Sequence, residues 1–211
     1  MLDRDLLKVY AVTDRRWLNG RTLREAVEEA LKGGVTFVQL REKNLKREEL
    51  LKEAFEIKEL CGRYKVPFVI NDNPDIAAEC GADGVHVGQK DMAAEAARKR
   101  LGPERIIGVS VRTVEQAVAA EKSGADYLGV GAVFSTGSKA DAKHVSMDTV
   151  REICSAVSIP VIAIGGVNEG NVTLLKGTGI CGVAIISALF AAGDITEAAE
   201  GLAEKVDEML K

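Results

Sequence analysis

Eight short apolar runs, spaced along the whole chain and separated by helical patterns, constrain this sequence more than any other feature. They are Val9 to Val12, Phe37 to Leu40, Phe68 to Ile70, Val85 to Val87, Ile106 to Val109, Tyr127 to Val130, Val161 to Ile164 and Val183 to Ile186. Between them apolar residues recur at three- and four-residue spacing, as in Leu50, Ala54, Ile57 and Cys61, which would line one face of a helix. Strands alternating with helices build parallel sheets. Eight such units in 211 residues predict an α/β fold, a single-domain TIM (β/α)8 barrel spanning 1–211, near the short end of that fold's range. A doubly wound open sheet is the other arrangement, but Gly129, Gly131 and Phe134 miss the third glycine of a dinucleotide-binding turn.

The punctuation agrees. Thr22 with Glu25, and Thr113 with Gln116, have capping-box spacing, and Asn73 before Pro74 suits an N-cap and first turn. Pro67 and Pro160 precede runs three and seven, while Gly34, Gly81, Gly124 and Gly179 precede runs two, four, six and eight. Each glycine is expected to end a helix in a left-handed conformation. Cys80-Gly81-Ala82-Asp83 and Ser123-Gly124-Ala125-Asp126 hint at an internal repeat of a two-strand, two-helix unit.

Charge and cysteine usage narrow the partners. A net charge of -4 gives no global attraction to nucleic acid or an anionic membrane, so small anions held by a local positive field are the better fit. No apolar run is long enough to span a bilayer, and Met1 to Asp5 is charged rather than apolar, which predicts a cytoplasmic protein. Cys61, Cys80, Cys154 and Cys181 form no CxxC pair and read as reduced core thiols.

The unusual polar residues stand where the strand runs end. Gln39, Arg41 and Lys43 follow one another with the period of a strand, which predicts that all three project toward one mouth of the sheet. Asn71 and Asp72 close run three; Gln89 and Asp91 follow run four. Cations bind phosphate directly, whereas carboxylates would repel it unless Mg²⁺ lay between, so the combination reads as a diphosphate site with Asp72 and Asp91 on the metal. Each aspartate also suits a helix cap, since both stand before a helical pattern.

Ser110 ends run five. The segment Phe134-Ser135-Thr136-Gly137-Ser138-Lys139 brings three hydroxyls and a cation to the same mouth, and long loops in barrels are frequently lids. Gly165-Gly166 after run seven and Ser187 after run eight stand where barrels often cradle a second phosphate on backbone N–H groups. His86 and His144 read as noncatalytic, His86 as a packed, hydrogen-bonded strand residue. No Ser/His/Asp or Cys/His pairing points to a covalent nucleophile.

On these residues the chain resembles the thiamin phosphate synthase family over essentially its whole length. The matching pieces are Val12-Thr13-Asp14, Gln39-Leu40-Arg41-Glu42-Lys43, Ile70-Asn71-Asp72, His86-Val87-Gly88-Gln89-Lys90-Asp91, Gly108-Val109-Ser110, Thr136-Gly137-Ser138-Lys139, Ile164-Gly165-Gly166 and Ile186-Ser187. The resemblance implies an enzyme, a transferase that joins hydroxymethylpyrimidine diphosphate to thiazole phosphate and releases diphosphate. It implies that Gln39, Arg41, Lys43, Asn71, Ser110 and Lys139 bind the pyrimidine diphosphate. Lys43, Asn71, Ser110 and Lys139 would be the catalytic set, and Asp72 and Asp91 would hold Mg²⁺. Thr136, Ser138, Gly166, Ile186 and Ser187 would contact the thiazole phosphate. Ser135 and Ser138 stand where the family usually carries Pro and Thr, which bears on the conformation of the loop.

Two other functions remain at this stage. A related thiazole tautomerase would share the thiazole-phosphate pocket, but its catalytic His should follow the Ser-Val of run five, where this chain has Arg112. A noncatalytic phosphate-binding regulatory barrel is the other. Assembly as a homo-oligomer is left open.

Overall fold

A computed structural model describes residues 2–88, 94–135 and 144–211. Its centre is a closed parallel barrel of eight strands in sequence order: β1 (Val9–Val12), β2 (Phe37–Leu40), β3 (Phe68–Asn71), β4 (Gly84–Val87), β5 (Ile106–Val111), β6 (Tyr127–Val130), β7 (Val161–Ile164) and β8 (Gly182–Ile185). The last pairs back to the first, with Tyr10 opposite Ala184, so no strand edge is left exposed. The helices are α1 (Leu23–Lys32), α2 (Arg47–Tyr64), α3 (Pro74–Glu79), α4 (Ala94–Leu101), α5 (Val114–Lys122), α6 (Met147–Ala156), α7 (Ser187–Phe190) and α8 (Ile195–Leu210). The link between β7 and β8 carries only a 3-10 turn, Val172–Leu175, and α8 packs against it and against α1.

Strand residues face two different cores. Val9, Ala11, Val38, Leu40, Val85, Val87, Leu128 and Val130 pack outward under the helices. Tyr10, Val12, Phe37, Val69, Tyr127, Ile162 and Ala184 point inward and fill the barrel, joined by Leu7 from the 3-10 turn Arg4–Leu7. Both faces being buried, the strands read as continuous apolar runs rather than alternating ones. The inner layer is not uniformly apolar. Gln39 and His86 face it, and both are buried. Tyr127 fits there because β5 carries Gly108: a methyl group at that position would overlap the phenol ring.

The helix ends bear out their sequence signals. Thr22 and Glu25 form a reciprocal capping box, and Asn73 accepts from the Ile76 N–H with Pro74 opening α3. Thr113 accepts from Gln116 N, while the Gln116 side chain reaches the neighbouring Arg112 N instead of closing the box. Gly34, Gly81, Gly124 and Gly179 all have positive φ, but only the first three end a helix; Gly179 stands beyond Lys176, the cap of the 3-10 turn Val172–Leu175.

The repeat has a physical counterpart. Asp83 accepts from Phe68 N and from Lys58, and its own N–H bonds Phe68 O; Asp126 accepts from Ile107 N and Arg98, and its N–H bonds Ile107 O. Each carboxylate ties a strand start to a helix cation. Cys181 occupies the matching register, its N–H on Val161 O, with no carboxylate to offer.

Candidate active site

The carboxyl ends of the strands form one mouth, and the first residue beyond β2 shows how it is built. Arg41 donates its backbone N–H to Thr13 Oγ1 at 2.9 Å, and its guanidinium lies 3.5 Å from Asp14. Asp14 in turn caps the 3-10 turn Arg15–Trp17 and takes a fork of hydrogen bonds from Arg16, the closest at 2.7 Å. Those bonds from the Arg16 side chain, with its backbone N–H and the charges of Arg16 and Arg41, outweigh burial and hold the Asp14 carboxyl below the usual carboxylate range. The loop after β1 therefore positions the cation that follows β2.

On the next strand, Asn71 donates to Asp72 Oδ2 at 2.6 Å. Asp72 adopts a left-handed backbone (φ 59°) that aspartate tolerates better than most residues, and its N–H bonds His86 O at 2.8 Å. Gly88 N donates to the other carboxylate oxygen at 3.3 Å. The capping role open to Asp72 in the sequence belongs to Asn73, which leaves the Asp72 carboxylate at the mouth instead of on a helix.

Inside, a row of hydrogen bonds crosses the barrel. Gln39 Nε2 donates to Tyr10 Oη (2.6 Å), Tyr10 Oη meets Tyr127 Oη (2.8 Å), Tyr127 Oη meets His86 Nδ1 (2.9 Å), and His86 Nε2 meets Ser110 Oγ (2.8 Å). Burial drives the acidity of both phenols well down, so each keeps its hydrogen. His86 is the packed, hydrogen-bonded residue its place in a strand implies.

Gln39, Arg41, Asn71, Ser110 and Ile186 line one cavity together with Tyr10, His86 and Ile164. It encloses about 80 Å³. Ligand sites usually reach roughly 300–1,000 Å³, so this is a floor rather than a whole site.

The other expected residues fall in three places. Lys43 is exposed in the loop after β2; the strand ends at Leu40, so strand alternation does not extend to it, and it is not part of the cavity lining. Gly166 and Ser187 follow β7 and β8 at the same mouth but outside that lining. Gln89, Asp91, Thr136, Gly137, Ser138 and Lys139 lie outside the described residues.

The glycine pair brings two loops together: Val133 N bonds Ile164 O (3.1 Å) and Phe134 N bonds Gly165 O (3.0 Å). Gly165 and Gly166 have φ of 99° and 69°, and a methyl group on Gly166 would run into the backbone of Phe134 and Ser135. Gly166 O accepts from Asn171 Nδ2 at 2.9 Å, which braces the turn from behind.

Sequence reasoning passed over Tyr10, Tyr127 and the structural part of Asp14. A tyrosine inside an otherwise aliphatic run was the available signal, because a buried phenol must find a partner.

A closed eight-stranded barrel of this kind is a TIM barrel, and the candidate side chains stand at the carboxyl ends of its strands, the face where such barrels carry their active sites. A family model described as thiamine monophosphate synthase matches residues 9–189. The thiamine-phosphate synthase of Clostridium tetani is 50% identical over 194 residues, covering 92% of this chain and 93% of that one. That of Ruminiclostridium cellulolyticum is also 50% identical, over 93% of each chain. The solved structure of thiamine phosphate pyrophosphorylase from Pyrococcus furiosus superimposes with a TM-score of 0.91 at 41% identity, covering 99% of both chains. The chain belongs to the thiamine monophosphate synthase family. It is a transferase, and these likenesses support thiamin phosphate synthesis over the tautomerase and the regulatory barrel.

Proposed function

We propose that this protein joins hydroxymethylpyrimidine diphosphate to thiazole phosphate at the barrel mouth, by dissociative alkyl transfer. The observation that carries this reading is the convergence of Gln39, Arg41, Asn71, Ser110 and Ile186, from four different strand ends, on a single cavity. In the reaction the bond from the pyrimidine methylene carbon to the diphosphate oxygen breaks, and its electron pair leaves with the diphosphate. The thiazole nitrogen then forms the new bond to that carbon. No covalent nucleophile is required. The protein's task is to stabilise the leaving group and to align the acceptor.

Arg41, held by Asp14 and Thr13, binds phosphate oxygens; Lys43 and Lys139 assist departure; Asn71 faces the pyrimidine. Thr136, Ser138, Gly166, Ile186 and Ser187 receive the thiazole phosphate. Asp72, with Asp91, holds Mg²⁺. Two carboxylates suit that ion, because Mg²⁺ bound to phosphate takes only one or two of them from the protein. When bound it neutralises charge developing on the diphosphate.

The substrates are small molecules; among the described residues no helix is long and apolar enough to cross a membrane. The cytoplasm, where thiols stay reduced, suits four cysteines that form no disulfide.

The test is direct. Purified protein with both substrates and Mg²⁺ forms thiamin phosphate and diphosphate, and EDTA abolishes turnover. Asp72→Ala and Lys43→Ala each lower kcat by roughly a hundredfold or more, the usual cost of losing a group that stabilises developing charge. Near-normal turnover of both variants at limiting Mg²⁺ would overturn the assignment.

A further inference from the structure

The row Gln39, Tyr10, Tyr127, His86, Ser110 has a direction, and that direction follows from one amide. Among the described residues each phenol has two hydrogen-bonding neighbours and a single hydrogen to give. Tyr10 Oη accepts from Gln39 Nε2, so its hydrogen goes to Tyr127 Oη. Tyr127 has then accepted, and its own hydrogen goes to His86 Nδ1. A nitrogen that accepts carries no hydrogen, so the imidazole hydrogen sits on Nε2 and is donated to Ser110 Oγ. Ser110 thus accepts on that side, and its hydroxyl hydrogen is directed to an acceptor other than His86. Ser110 lines the cavity.

We propose that Gln39, acting through Tyr10 and Tyr127, fixes the tautomer of His86 and so makes Ser110 a hydrogen-bond donor to the bound pyrimidine diphosphate. Tyr10, Tyr127 and His86 are positioning residues. Tyr127 is fully buried and outside the cavity lining, so it acts only through its neighbours. The barrel geometry supports the row from behind: Tyr10 packs on Phe37 with ring centroids 4.6 Å apart, and Gly108 and Gly129 leave room for the Tyr127 and His86 rings. The last link, to the substrate, rests on the function proposed above; the tautomer does not.

The decisive experiment is ¹⁵N NMR of histidine-labelled protein carrying His144→Gln, which leaves His86 as the sole histidine. The expected spectrum has a protonated Nε2 and an unprotonated, hydrogen-bonded Nδ1. In Gln39→Glu the carboxylate can only accept, so Tyr10 donates to it, the row reverses, and the hydrogen moves to Nδ1. Hydrogen on Nδ1 in the protein with Gln39 intact, or spectra that do not change with Gln39→Glu, would overturn the proposal.

A kinetic cycle tests the link to Ser110. Ser110→Ala should lower kcat/KM by roughly ten- to a hundredfold, the worth of a hydrogen bond to a charged group. In a Tyr127→Phe background, where His86 no longer has its fixed donor, the same substitution should cost several-fold less. Equal costs in the two backgrounds would sever Tyr127 from Ser110. If the expected tautomer is found but no thiamin phosphate forms, the proposed reaction fails and the relay stands; if product forms with the other tautomer, the relay alone fails.

Discussion

Asp14 illustrates how much a single residue at this mouth depends on its partners. It is 7% exposed in its side chain, takes a guanidinium fork from Arg16 and faces Arg41, so its ionised form is favoured by folding. A carboxyl whose folded pKa lies below its unfolded value adds stability that is fully present above the ordinary carboxylate range and is lost as pH falls through the lowered value. Urea unfolding followed from about pH 6 to about pH 3 should therefore show a shallower acid limb for Asp14→Asn than for the unsubstituted protein. Identical limbs would mean that the pairing contributes nothing. Glu42 has the opposite sign: burial raises its pKa against the pull of Arg15, so its ionised form costs stability as pH rises. At this scale the sequence was partly legible. Arg41 and Asn71 stood out as polar residues at strand ends, whereas the tie between Arg41 and Asp14 joins residues 27 positions apart and could not be read from either.

At the scale of elements, caps, breakers and repeats speak plainly in the sequence because they act within a few residues. Thr22 with Glu25 and Asn73 with Pro74 behave as their spacing implies. Two contrasts test how far local rules reach. Gly62 lies inside α2 with nothing within 4 Å of where a methyl group would stand, so Gly62→Ala should stabilise the protein by about 0.5–1 kcal/mol in urea melts. A loss would mean that the helix needs that glycine for another reason. Asp126 is different, because it bonds both a strand N–H and Arg98. Asp126→Ala should cost about 2 kcal/mol, since it leaves partly buried donors unmet. Asp75→Ala, which breaks an exposed pair with Arg100, should cost less than about 0.5 kcal/mol. The β7–β8 link carries only the 3-10 turn Val172–Leu175 where the repeat implies a full helix, and its length does not explain this, since the shorter β3–β4 link holds α3.

Across the whole molecule, the barrel brings loops that are distant in sequence against each other, and the Gly165-Gly166 turn is one place where that contact leaves no room for a side chain. Gly166→Ala must either abandon a positive φ or push away the Phe134–Ser135 backbone, so the segment after β6 moves. Its expected signature is a rise of roughly tenfold in KM for the thiazole phosphate with a much smaller change in KM for the pyrimidine diphosphate. Equal changes in both would place the turn outside the acceptor pocket. The number of strands and their order were legible beforehand, because hydrophobic period and turn chemistry are properties of neighbouring residues. The inward row from Gln39 to Ser110 was not. It joins five strands through side-chain hydroxyls and an imidazole whose partners exist only once the sheet has closed into a cylinder, and no local spacing encodes which inward positions will meet across it.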